Sequence, residues 1–244
     1  MRKEVHWWYS PNLGYDMPIA VYGHYGRPVL MFPTAAADFE EYERFLLIDA
    51  IAPHIESGKI KVFSINSINR ESWMNDQIHP GEAAYRHAQY DRYVSQEVVP
   101  FIYHHCNTSG IGIATTGASF GAFHAANTLF KHPDQFQVLI AMSGFYDLQN
   151  YFKGYYDDNC YFNNPAQYVP RLEDPYYLDR LRYSCNIVII TGQGAWEKPE
   201  ASYRFSELLH QKGIPHVLDM WGYDVAHDWP WWRNMLNVYI PKLF

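Results

Sequence analysis

The amino-acid sequence predicts an α/β fold on a mostly parallel sheet. Three observations point there: short β-rich runs recur along the chain, helical patterns separate them, and a glycine-flanked serine lies where one such run passes into a helix. The runs fall at residues 19–22, 28–32, 60–65, 111–115, 137–142, 187–190 and 216–220. Several are apolar on both faces, as buried parallel strands are.

The helical patterns follow in order. Phe39, Tyr42, Phe45, Leu46 and Ile51 keep helical spacing after Asp38, with Glu41 three residues on as in a capping box, and Gly58 closes the segment. Tyr90, Val94, Val98, Phe101 and Ile102 continue the period in a second helix, kinked at Pro100. A third runs from Ser119 to His132 before Pro133, and a fourth from Pro199 to Lys212, ended by Gly213. Pro230 suits the first turn of a closing helix. Residues 145–184 interrupt the alternation with a segment rich in tyrosine and phenylalanine, read as a cap-like insertion in a single domain spanning residues 1–244.

Composition narrows the function classes. The 244 residues are 48% hydrophobic without an apolar run near the roughly 18 that span a bilayer, so a globular, non-membrane protein is expected. A net charge of −7 with scattered basic residues argues against a nucleic-acid partner. Cys106, Cys160 and Cys185 are an odd number without paired spacing. The amino terminus also lacks the roughly 7 to 15 apolar residues of a secretory signal, so the expected compartment is the cytoplasm. Aromatic residues make up 18% of the chain, enough for some to line a pocket or join copies into a homo-oligomer.

Gly117-Ala118-Ser119-Phe120-Gly121 follows a strand and opens a helix, the context a G-x-S-x-G nucleophile elbow requires. A strained turn there lifts the Ser119 hydroxyl above the sheet, and the helix amino end favours negative charge. His227 lies beyond the last strand, where the base of such a serine is expected. For the carboxylate orienting that base, Glu197 ranks ahead of Asp147 and Asp224. The Phe120 N–H is the expected first oxyanion donor, and the small-residue loop Pro33-Thr34-Ala35-Ala36-Ala37 offers the second, with Ala35 ahead of Thr34 and Ala36. Tyr155, Tyr156, Phe162 and Trp229 are the expected walls of a substrate pocket. His104-His105-Cys106 has metal-binding residue types but no second ligand cluster at the usual spacing, and no metal or cofactor is expected.

The elbow, the late His227 and the strand order together resemble the putative esterase family of α/β-hydrolases, with its esterase D-like, feruloyl and enterochelin esterases. Phe32-Pro33-Thr34, Tyr161-Phe162-Asn163-Asn164-Pro165 and His227-Asp228-Trp229-Pro230-Trp231-Trp232 resemble a bacterial branch of that family. The resemblance spans nearly the whole chain and implies an α/β-hydrolase fold and hydrolysis of a small, aryl or sugar-linked carboxylic ester through an acyl-enzyme. Acyl transfer by the same residues and a non-catalytic binding role are the alternatives. Two departures stand out: Ala195 lies about where relatives often place the triad aspartate, and Pro33-Thr34 replaces the usual His-Gly of the oxyanion loop.

Overall fold

The computed structural model describes the whole chain, Met1–Phe244. Eight strands form one sheet: β1 (Lys3–Ser10), β2 (Tyr15–Tyr22), β3 (Arg27–Phe32), β4 (Ile60–Ile65), β5 (Ile113–Ala118), β6 (Phe136–Met142), β7 (Asn186–Thr191) and β8 (Val217–Met220). Their order is β1-β2-β4-β3-β5-β6-β7-β8, and β2 alone runs against the others. This is the α/β-hydrolase architecture. The carboxyl ends of β3, β5, β6, β7 and β8 therefore share one edge, where open parallel sheets carry their ligands.

Both faces of the sheet are covered. Helices α4 (Pro80–Tyr93), α5 (Val99–His105), α6 (Phe120–Lys131), α9 (Pro175–Tyr183) and α10 (Pro199–Gln211) bury one face around Leu30, Phe63, Leu139 and Ile189. The short helices α1 (Glu41–Arg44), α2 (Leu47–Ala50) and α3 (Ala52–Glu56) and the closing helix α11 (Trp229–Leu243) bury the other around Met31, Val62, Ile140 and Ile190. Between β6 and β7 the chain forms short helices that include α7 (Asp158–Phe162) and α8 (Pro165–Tyr168). No helix is long and apolar enough to cross a membrane.

The structure departs from the sequence reading at three places. Strand β1 was not expected, because its exposed positions hold Val5, Trp7 and Tyr9 while Glu4 and His6 turn inward, the reverse of the usual alternation. The single helix expected after Asp38 is three short ones, since Leu46 takes a left-handed φ of 59°. Glu41 does not close a capping box: its carboxylate accepts from the Thr34 N–H and hydroxyl at 2.8 and 2.6 Å. A third difference concerns Pro100. The π turn Val94–Val98 inserts an extra residue ahead of it, so the helical path runs on through Pro100.

Candidate active site

Ser119 occupies the turn between β5 and α6 with φ 57° and ψ −120°, a backbone conformation rarely adopted by a residue with a side chain. Its two glycines are there for space. A Cβ on Gly117 would come within 2.3 Å of the Gly121 backbone, and one on Gly121 within 2.2 Å of the Phe32 carbonyl. The turn is anchored by the Ser119 N–H, which donates to the Met142 carbonyl at 2.9 Å. Phe120, the first helical residue, has no intrahelical acceptor for its N–H.

His227 and Glu197 come from two loops whose backbones are locked together. The Gly194 N–H donates to the Val225 carbonyl at 2.9 Å, and the His227 N–H to the Ala195 carbonyl at 2.9 Å. Trp196, at a left-handed φ of 67°, turns the chain so that its own indole is exposed while the Glu197 side chain points inward at 1% exposure. Glu197 Oε2 stands 3.4 Å from His227 Nδ1, a long hydrogen bond of the kind open sites show before substrate binds. The buried carboxylate has three further donors: the Ser143 hydroxyl at 2.5 Å, the Thr191 hydroxyl at 3.3 Å and the Gly192 N–H at 3.3 Å. Ser143 in turn accepts from the Trp232 indole N–H at 3.0 Å, and the His227 and Trp232 rings meet at right angles with centroids 5.0 Å apart.

The other two carboxylates are placed differently. Asp147 is exposed and accepts from the Gln149 N–H and the Asn164 amide. Asp224 is exposed on the His227 loop, with no hydrogen bond to the imidazole.

The loop after β3 is organised from below. Thr34 has both its N–H and its hydroxyl committed to Glu41, which removes its N–H as a donor to a ligand. Ala35 is exposed, with φ 20°, and its carbonyl accepts from Ser67 Oγ at 3.1 Å and Asn69 Nδ2 at 2.5 Å. Asn69 is wholly buried, and its Oδ1 faces His124 Nε2 at 3.0 Å, so His124 carries its proton on Nε2. The His124 ring stacks on Phe120 at 5.2 Å and on His87 at 5.1 Å. Burial holds both imidazoles far down, His87 to about 3 and His124 well below its usual range, so both are neutral. Asn69, His124, Ser143 and Thr191 belong to no motif read from the sequence, and Trp232, within the stretch that starts at His227, has no assigned partner there; only the folded chain shows what they hold.

The expected pocket walls separate into different places. Tyr155 and Tyr156 line a hollow of about 310 Å³ with Gln149, Phe152, Gly154 and Gln167, and neither Ser119 nor His227 is among its walls. Phe162 is 56% exposed and lies outside that lining. Trp229 packs edge-on to Trp232 at 5.0 Å and stacks on Phe45 at 4.4 Å, so it reaches the histidine side through Trp232. Next to the serine, Phe120 packs against Phe145 and Tyr151 at 4.9 and 5.6 Å, besides His124 and Phe123.

Comparison with known proteins places the chain in a family and a fold. A family model described as "Putative esterase" matches residues 10–243. A ferulic acid esterase structure superposes with a TM-score of 0.74 at 19% identity, covering 99% of this chain and 96% of the other. An S-formylglutathione hydrolase from Staphylococcus aureus gives 0.73 at 15% identity over 99% and 95%. The enterobactin esterase of Shigella flexneri gives 0.63 at 15% identity, covering all of this chain and 60% of the other. At these identities the likeness is one of fold. A search of curated proteins gave no match.

Proposed function

Since the chain belongs to the putative esterase family, we propose that it hydrolyses carboxylic esters through an acyl-enzyme formed on Ser119. The observation that supports this most is the buried Glu197 carboxylate facing His227 Nδ1 on the sheet edge that also carries the Ser119 elbow. An Nδ1–H donated to Glu197 leaves the lone pair of His227 on Nε2, the tautomer a general base needs. Nε2 takes the Ser119 proton as Oγ attacks the ester carbonyl, and returns it to the departing alcohol. Water, deprotonated by the same imidazole, then releases the acid and restores Ser119.

The tetrahedral oxyanion is received by the N–H groups of Phe120 and Ala35. The first lies at the amino end of α6, and the second belongs to the loop that Asn69 holds by its carbonyl. Phe145 and Tyr151, packed on Phe120 next to the nucleophile, offer apolar aromatic surface suited to an aryl or short acyl ester.

The direct test treats purified protein with p-nitrophenyl acetate and a fluorophosphonate probe, alongside Ser119→Ala and His227→Ala. Labelling and turnover lost in the serine variant, with turnover sharply reduced in the histidine variant, are expected. A folded wild-type protein showing neither would overturn the proposal.

A further inference from the structure

His104-His105 has no second group of ligating residues near it in the sequence, but the fold brings one to it from the opposite end of the chain. Strand β1 lies at the sheet margin, four places from the β5 strand that leads to Ser119. Alternation along β1 turns Glu4 and His6 to the same inward face, and the last turn of α5 places His105 against them. Glu4 Oε2 stands 3.4 Å from His6 Nε2 and 3.5 Å from His105 Nε2, and the three ligating atoms lie within 4.8 Å of one another. His104 is exposed and stays outside the cluster.

These separations have chemical meaning. Zinc binds imidazole nitrogen and carboxylate oxygen at about 2.0–2.2 Å, and two ligands of a tetrahedron that size stand about 3.4 Å apart. The side chains are also held from behind. Phe101 packs against His6 at 5.2 Å and against His105 at 5.5 Å, and Phe63 meets His105 edge-on at 5.7 Å. Arg2 pairs with Glu4 through Oε1 at 2.7 Å, which leaves Oε2 directed at the imidazoles. Lys61 donates to the His105 backbone carbonyl at 3.3 Å. His6 Nε2 is shielded from solvent and has no hydrogen-bond partner, an uncompensated polar atom of the kind an ion satisfies.

We propose that Glu4, His6 and His105 form a binding site for a divalent cation of the zinc class. The carboxylate binds through Oε2, each imidazole through Nε2, and water completes a four-coordinate shell. Bound there, the ion would tie the edge strand β1 to the end of α5. Because the metal binds the folded chain, it raises the melting temperature, with a stabilisation that grows as the logarithm of its concentration over its dissociation constant.

The test titrates metal-free protein with zinc chloride by calorimetry, with cobalt(II) as a spectroscopic stand-in. Wild type is compared with Glu4→Gln, His6→Ala and His105→Gln. One ion per chain is expected, with a tetrahedral cobalt spectrum and a zinc-dependent rise in melting temperature. Each substitution should weaken binding at least about a hundredfold, since even changes behind the ligands cost about 10–100-fold. His6→Ala lies on the sheet margin, and its metal-free melting curve serves as the folding control. Absence of saturable binding would overturn the site, as would binding of equal strength in the His6 and His105 variants, which assigns the zinc to other histidines.

Discussion

Glu197 brings its carboxylate to 3.4 Å from the His227 imidazole across thirty residues of sequence, and it does so from a side chain only 1% exposed. A buried carboxylate needs partners, and the hydroxyls of Ser143 and Thr191 with the Gly192 N–H supply them. Replacing Glu197 by Gln keeps the shape and removes the charge that favours the Nδ1–H tautomer and the imidazolium. We expect kcat for p-nitrophenyl acetate to fall about 10³–10⁴-fold. Asp147→Asn and Asp224→Asn should stay within about twofold, and a larger loss in either would reassign the acid.

Asn69 joins the Ala35 carbonyl to His124, so its removal reaches the loop proposed to supply the second oxyanion donor. Asn69→Ala leaves the His124 Nε2–H buried without an acceptor, at a stability cost of about 1–3 kcal/mol. For a chain of this size that lowers the melting temperature by about 2–12 °C. Loosening of the loop should also lower kcat about ten- to hundredfold with KM little changed. Stability loss with unchanged kcat would confine Asn69 to a packing role.

The neutral pair His87 and His124 makes the protein acid-sensitive above the range where carboxylates titrate. Both pKa values lie below the unfolded value of 6.5, so as pH falls through 6.5 the unfolded chain gains protons that the folded chain does not. Stability is full above pH 6.5 and declines toward pH 3, by roughly 1–3 kcal/mol between pH 6 and pH 5 for the pair. Urea unfolding at pH 5, 6 and 7 measures the slope. His87→Gln, which can still accept from the Trp73 indole, should make the slope shallower; an identical slope would place the titration elsewhere.

Gly192 lies where the two loops meet. A Cβ there would stand 2.2 Å from the Val225 carbonyl oxygen, and backbone gives way less readily than a side chain. Gly192→Ala should therefore cost about 1–3 kcal/mol. It should also lower kcat by shifting Glu197 relative to His227. Wild-type melting temperature and turnover in this variant would show that the loops separate without consequence for the pair.

Much of the fold is legible from local pattern. Buried parallel strands read as apolar runs, and the elbow is a continuous strand, turn and helix, so Ser119 is found from five neighbouring residues. What local pattern hid was decided by distant contacts. The β1 strand inverts the usual alternation, the Leu46 backbone breaks a regular helical period, and Glu41 serves Thr34 rather than a helix end.

By itself, then, the sequence determined the α/β architecture, the elbow serine and the position of a late histidine, because each depends on hydrophobic period or on residues adjacent in the chain. Only the tertiary structure decided which carboxylate meets His227, which side chains hold the Ala35 loop, and that His105 meets Glu4 and His6. Those pairings join segments from different strands and loops. Their partners are set by sheet order and loop packing, and no spacing along the chain encodes them.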